Sequence, residues 1–357
     1  MKQTCPYVNQ SSQSIDMKEA RVAPGPKVTI VDIPIPEPKA DEVLIKILVS
    51  GSNPKDWKVP AFLNNNVNQG DDMAGIVETV GTDVYEFKPG DRVAGFHVMQ
   101  APGGSYAEYG VCPAHTVWHI PKNVSFEEAA AIPLASLTAA VGLYSSTRLR
   151  LPHPWTPASE PLPLIVYGAA SAVGAYAIHL AKKSNIHPLI CVAGNSIDFV
   201  ETLIDRSKGD SIVDYRKGDE AVVKDLREAL NGRAAYHAFD AVSEKGSYIN
   251  LVKILEPRGS KITFVLPVDS KQIPTGIIAS QTMVGDVHKD ENGRELGYVM
   301  TRYIARGLEH GWFKPQKHVV VPGGLNGVQE ALGNLKAGKA NAVKYVFRIG
   351  ETQGVSQ

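Results

Sequence analysis

The feature that most narrows the possible folds is an alternation in the middle of the chain. Short apolar runs, "LPLIVYG", "HPLICVAG", "SIVDY", "HAFDAVS" and "SKITFVLP", are separated by stretches with helical spacing such as "AYAIHLAKKSN" and "DFVETLIDRSKG". A strand that is apolar on both faces must be covered on both. Consecutive parallel strands also need a long crossover, normally a helix. Repeated βα units of this kind predict an α/β domain built on a doubly wound parallel sheet, the Rossmann arrangement.

The end of the first of these strands carries the most informative turn. "VYGAASAVGAYAIHLAK", Val166 to Lys182, reads as strand, tight turn and helix. Dinucleotide-binding turns follow G-x-G-x-x-G, and the frame that fits here supplies Ala169, Ser171 and Gly174. Small residues let the backbone approach a pyrophosphate, while the free N–H groups and positive end of the helix attract it. Gly174 is expected to allow close helix–strand packing. A strand and helix packed through small residues with no ligand have the same composition, so the turn alone leaves both readings open.

The second strand ends "CVAGNS", giving Gly194, Asn195 and Ser196 with no carboxylate before Asp198. An NAD site usually carries Asp or Glu there for the ribose 2′-hydroxyl. Without that charge a 2′-phosphate meets no repulsion and finds hydrogen-bond donors instead. Tyr215 in "VDYRKG" adds a donor, with Arg216 and Lys217 nearby, so the expected cofactor is NADPH rather than NADH. Asn195 and Ser196 also suit an ordinary polar turn, and Tyr215 a half-buried strand end.

Before this region the texture is β-rich. Between Lys27 and Val111, "KVTIVDIPIP", "DEVLIKILVSGSN", "AGIVETVG" and "DRVAGF" read as short strands. "KPGD", Lys88 to Asp91, predicts a type II turn with Gly90 at positive φ. Ser125 with Glu128 forms a capping-box signature ahead of a small-residue helix that Pro133 should break or kink, and "RLRLPHPWTPASEPLP" predicts a surface loop. From about Val299 a helix, "KHVVVP", a second helix "GVQEALGNLKAG" and a strand "KYVFRI" follow neither pattern.

With 357 residues and 43% apolar content, the chain can bury a core in each of two domains. Its 37 basic and 37 acidic residues balance, which argues against nucleic acid or an acidic membrane surface as partner and favours small, roughly neutral substrates. Cys5, Cys112 and Cys191 lie far apart with no C-x-x-C pair, a usage that fits a reducing cytoplasm. The polar start "MKQTCPYVNQSSQSIDMKEA" and the absence of an ~18-residue apolar run predict neither export nor a membrane span.

Taken with "AGIVETVGTDVYEFKPGDRVAGF" and "GGSYAEYGVCPAHTVWHIPKNVSFEEAAAIPLASLTA", these residues resemble the medium-chain dehydrogenase/reductase superfamily along essentially the whole chain. The resemblance implies a GroES-like β domain split in sequence, with the Rossmann domain inserted and the tail returning to the first part. The expected division is 1–136 and 289–357 for the GroES-like catalytic domain and 137–288 for the cofactor domain. "NPKDWK", the proline-rich insert and "VYGAASAVGAYA" are most similar to the zinc-free quinone oxidoreductase and enoyl reductase branch, in particular the trans-acting enoyl reductases of fungal polyketide pathways.

Zinc members carry a Cys-His-Ser-Asp type segment and a Gly-His-Glu. The matching positions here are Asn53, Pro54, Lys55, Asp56 and Gly70, Asp71, Asp72, and no cysteine-rich lobe lies between Phe96 and Gly104. Zinc normally needs His or Cys among its ligands, so no metal is expected, and His97, His115 and His119 read as strand or surface residues. Without a Lewis acid, reduction of a C=C bond conjugated to a carbonyl suits the chain better than alcohol oxidation. The resemblance places Lys58 and Thr138 in the active-site cleft as hydrogen-bond donors. The expected cofactor contacts are Lys55, Asp56, Lys58, Ala170, Ser171, Ala172, Val173, Gly174, Gly194, Asn195, Ser196, Tyr215, Val265, Leu266 and Val346, of which the resemblance matches Lys58 to the cleft and Val265 and Leu266 to the nicotinamide ring. Lys58 also suits a solvated side chain, Thr138 a hydroxyl bonding back to its own helix, and Val265 and Leu266 a buried core. "VPAFLNNNV" has no tyrosine to serve as proton donor, which leaves solvent as the expected source.

Three activities fit at this level: an enoyl reductase acting on an acyl thioester, with a polyketide synthase carrier domain as partner; a general quinone or enone reductase; and a non-catalytic NADPH-binding protein. A monomer is favoured over a homodimer.

Overall fold

The computed structural model describes residues 16–355; Cys5 and most of the polar N-terminal stretch lie outside the described residues. A hairpin of β1 (Asp16–Ala23) and β2 (Lys27–Pro34) comes first. Then follow β3 (Glu42–Gly51), helix α1 (Lys55–Leu63), β4 (Asp72–Val80), β5 (Arg92–Phe96), β6 (Tyr109–Pro113) and β7 (Val117–His119). Short α2 (Phe126–Ala130) and α3 (Pro133–Tyr144) lead into the βα region. Ser125 and Glu128 close the capping box with bonds of 3.1 and 2.8 Å, and Pro133 opens a new helix instead of continuing α2. The turn at Lys88–Asp91 has Gly90 at φ +91° and an Asp91 N–H to Lys88 carbonyl bond of 3.2 Å.

The βα region contains β8 (Leu164–Tyr167), α4 (Ala172–Lys183), β9 (Leu189–Ala193), α5 (Ile197–Glu201), β10 (Ser211–Asp214), α6 (Asp219–Leu230), β11 (His237–Asp240), α7 (Ser247–Val252), β12 (Lys261–Phe264) and β13 (Ile278–Gln281). All six strands are parallel in the order β10-β9-β8-β11-β12-β13. This is the doubly wound order, with its switch point between β8 and β11, where dinucleotides lie beyond the carboxyl ends of the strands. Alternate residues supply the two faces: Leu164, Val166 and Cys191 enter one core, and Ile165, Ile190 and Val192 the other. The sixth strand was not legible in sequence, because "IASQ" is a short edge strand whose Ile278 is 57% exposed.

Helix α8 (Glu291–Glu309), β14 (His318–Val320), α9 (Val328–Lys336) and β15 (Lys344–Arg348) complete the chain. The last strand pairs antiparallel with β3, setting Val346 opposite Gly51, and β14 lies beside it in a seven-stranded sheet. The tail that matched neither sequence pattern therefore belongs to the first β sheet. Arg302 of α8 fastens it further, donating to the carbonyls of Ala114 at 3.1 Å and His115 at 3.0 Å and pairing with Glu86. Among the described residues no helix is long and apolar enough to cross a membrane.

Candidate active site

At the end of β8 the chain turns through Gly168 at φ +76°, a left-handed conformation that favours glycine. A side chain there would also collide with Val242, whose Cγ2 lies 2.2 Å from the Cβ position. The N–H groups of Gly168 and Ala169 both donate to the Val192 carbonyl at 3.0 Å, which pins the turn to β9. Ser171 caps α4, its Oγ accepting from the Gly174 N–H at 3.0 Å. Gly174 packs so closely that a Cβ would stand 2.3 Å from the Gly168 carbonyl oxygen. Ala170, Ser171, Ala172 and Val173 are half-buried, and the N–H groups of Ala172 and Val173 in the first turn have no acceptor four residues back within the helix. The frame read from sequence passed over Gly168, which stands one residue ahead of it and carries the conformational demand.

Beside this turn, Gly194 closes β9 against Tyr215; a Cβ at Gly194 would lie 2.6 Å from the phenol ring. The Tyr215 ring stacks on Tyr167 with centroids 6.3 Å apart and stays 45% exposed. Asn195 is exposed and its carbonyl accepts from Arg216 Nη1 at 3.1 Å, while Ser196 sits at the head of α5 without a capping bond. Arg216 also grips Asp214 at 2.7 Å, and chiefly that hydrogen bond holds the carboxyl at about 2. Lys217 is drawn away to Asp225 at 2.8 Å.

In the β domain the segment Asn53–Lys58 starts α1 over an internal charge network. Lys55 Nζ donates to the Gln69 carbonyl at 2.6 Å and pairs with Asp56 at 3.0 Å and with Asp71. Asp56 is fully buried, its Oδ2 accepting from the Asn53 N–H at 2.7 Å and the Tyr106 hydroxyl at 2.6 Å. Asp71 faces buried His97 at 3.1 Å, and the other ring nitrogen of His97 faces the Pro102 carbonyl at 3.1 Å. Asp72 accepts from Asn53 at 2.8 Å, Lys344 of β15 at 2.7 Å and the Leu134 N–H of α3 at 2.6 Å. Burial pushes Asp56 up to about 6 despite Lys55. Burial opposes ionisation of Asp71 too, but Lys55 and His97 together hold it below the usual range. Lys55 is raised: Asp71 and Asp56 outweigh its burial.

The donor set here does not fit zinc. Asn53 and Asp71, which match the Cys and the His of the two zinc segments, and Asp72 beside them are taken up by two lysine ammonium groups and an imidazole. His97 was read from sequence as a strand or surface residue; it is 2% exposed and part of this network. Tyr106 and Lys344 were not anticipated at all, because only the folded sheet brings them to Asp56 and Asp72.

The remaining expected site residues fall in four settings. Lys58 projects from α1 and pairs with Glu244, in the loop after β11 of the parallel sheet. Thr138 is 6% exposed and donates to the Leu134 carbonyl at 2.7 Å, so its proton is already used within α3. Val265 and Leu266 are half-buried after β12, the Val265 N–H bonded to Ser243 Oγ at 3.0 Å, whereas Val346 is sealed in the core. The loop after β11 is what links these segments: Val242 lies against Gly168 of the turn, Ser243 holds Val265 after β12, and Glu244 pairs with Lys58.

A dinucleotide-type sheet joined to a split β domain defines the class of protein, and comparison with known proteins narrows it. Residues 39–122 match the alcohol dehydrogenase GroES-like domain. The trans-enoyl reductase fsr4 of Gibberella fujikuroi is 49% identical over 316 residues, 87% of this chain and 92% of that protein. The trans-enoyl reductase resD of Aspergillus sclerotiorum is 29% identical, covering 92% of this chain and 98% of its own. Among solved structures, a putative zinc-dependent alcohol dehydrogenase from Rhizobium etli superposes with a TM-score of 0.80 at 21% identity, covering 96% and 99% of the two chains. The CurK enoyl reductase superposes at 0.72 with 17% identity over 92% and 98%. The chain belongs to the medium-chain dehydrogenase/reductase superfamily and, within it, to the trans-enoyl reductases. It is an oxidoreductase of a family that works with a nicotinamide cofactor.

Proposed function

We propose that the protein is an NADPH-dependent enoyl reductase that reduces a C=C bond conjugated to a thioester carbonyl, acting in trans on an acyl chain presented by a polyketide synthase carrier domain. The observation that carries this reading is the loop after β11, which touches the glycine-bounded turn through Val242 and Lys58 through Glu244, together with the uncharged end of the neighbouring strand β9.

The backbone from Ala170 to Gly174 would receive the pyrophosphate at the positive end of α4. Gly194, Asn195, Ser196 and Tyr215 would border the adenosine ribose, where the absence of a carboxylate in the 194–196 segment and the presence of Arg216 favour a 2′-phosphate. Val265 and Leu266 would flank the nicotinamide. The cofactor, when bound, supplies a hydride for the β-carbon. The Lys58 ammonium would stabilise negative charge growing on the substrate oxygen. Thr138 can add a hydrogen bond only by giving up its bond to Leu134. Lys55 and Asp56 act from below by fixing the start of α1, and solvent supplies the proton to the α-carbon. The protein works as a monomer.

Titration with NADPH and NADH, followed by turnover of an enoyl thioester, a small enone and a quinone, tests the reading. Tighter NADPH binding and preferred thioester turnover are expected. Tighter NADH binding would overturn the cofactor assignment, and quinone turnover without thioester turnover would overturn the substrate. Lys58→Met should lower kcat/KM at least ~10-fold, the scale of one lost charge-assisted contact.

A further inference from the structure

The loop after β11 is held in a conformation that its sequence does not favour. Ser243 and Lys245 stand at φ +57° and +51°, followed by Gly246 at +76°. A left-handed residue other than glycine costs roughly 1–2 kcal/mol and persists only where its surroundings over-determine it. Here Asp240 does so: Oδ1 accepts the N–H groups of Val242 at 3.0 Å and Ser243 at 2.8 Å, and Oδ2 accepts the Ser247 hydroxyl. The same loop touches both expected halves of the cofactor site. Val242 lies against Gly168 of the phosphate turn, and Ser243 Oγ holds the Val265 N–H at 3.0 Å.

This constrained loop offers Glu244 to solvent, where its carboxylate pairs with Lys58 from the other domain. An ion pair between side chains left 47% and 26% exposed contributes little to stability. A carboxylate at the mouth of a site for a polyanionic cofactor also repels it. Strain and an unfavourable charge at one spot call for a functional account, not a structural one.

We propose that Glu244 is a positioning residue for Lys58. Without ligand it holds the ammonium in place; when cofactor binds, Lys58 is handed from Glu244 to an oxygen of the cofactor. The inference rests on the cofactor site proposed above. Glu244 then sets the affinity of the ligand-free enzyme by competing for Lys58, and the pair bridges the two domains only until cofactor arrives.

The test is a double-mutant cycle on NADPH dissociation constants, with Glu244→Gln, Lys58→Met and the double variant, all in the full chain. Glu244→Gln should tighten NADPH binding about 3- to 10-fold, Lys58→Met should weaken it, and Glu244→Gln should have little effect once Lys58 is gone. Glu244→Asp should restore wild-type behaviour. An equal effect of Glu244→Gln with and without Lys58 would show that the carboxylate acts by simple repulsion and overturn the proposal, as would no effect in either background. Failure of the wild-type chain to bind NADPH would instead remove the cofactor reading beneath it. Melting temperatures of all variants keep folding defects separate from binding.

Discussion

Asp56 is a carboxylate kept in the protein interior with its charge only partly answered. Its folded value of about 6 lies above the ordinary 3.8. The folded state therefore binds a proton more tightly than the unfolded chain, and stability contributed at this position falls as pH rises from about 4 to about 6, then stays level. The rise from 3.8 to about 6 corresponds to a loss of ~3 kcal/mol by the upper end of that window. Asp56→Asn keeps an acceptor for Tyr106 and removes the titration. Its melting temperature relative to wild type should climb across this pH range and plateau above it; parallel curves would show that Asp56 does not titrate there. Lys55→Met is the opposite case. It strips the counter-ion from Asp71 and Asp56 together and should cost about 3–5 kcal/mol in denaturant unfolding.

At the scale of elements, α4 and its turn form the part of the site most exposed to a single added atom. Gly174→Ala would force the Gly168 carbonyl and the helix apart, so NADPH affinity should drop ~10-fold or more with a lower melting temperature, while a binding curve equal to wild type would show that the turn can relax. Much of this turn was readable in sequence, because strand, small residues and helix follow one another without a break. Gly168 was not singled out, because the G-x-G-x-x-G spacing does not say which glycine the backbone conformation needs. Other elements were less legible for a shared reason. The expected helix over "DFVETLIDRSKG" stops at Glu201, because buried Asp210 captures the Asp205 N–H at 2.9 Å and the Leu189 N–H at 2.7 Å. The bond to Asp205 competes with helix continuation, and the bond to Leu189 of β9 holds Asp210 in place to make it. Lys58 and Glu244 likewise stand 186 positions apart, so Glu244 had no local signal to mark it.

For the whole molecule, the doubly wound sheet was legible from periodicity, since a buried parallel strand must be apolar on both faces. The return of the tail to the first sheet came from family resemblance, because "KYVFRI" carries nothing that names β3 as its neighbour. The decisive contact is Lys344, which leaves β15 to meet Asp72 and Asn53 at 2.7 Å each. Lys344→Met should leave Asp72 buried without its cation and cost about 3–5 kcal/mol, measured by urea unfolding; a loss below about 1 kcal/mol would mean that Asn53 and Leu134 satisfy Asp72 alone.

That contact also imposes an order of events during synthesis. The ribosome releases β3, α1 and β4 long before it has made Lys344, so Asp72 waits without its partner and the flank of β3 that β15 will cover stays open. The parallel sheet, complete by Gln281, can close while the chain is still attached. The floor of the proposed site must wait longer, because Asp72 meets its cation only once β15 has itself been made and has left the exit tunnel.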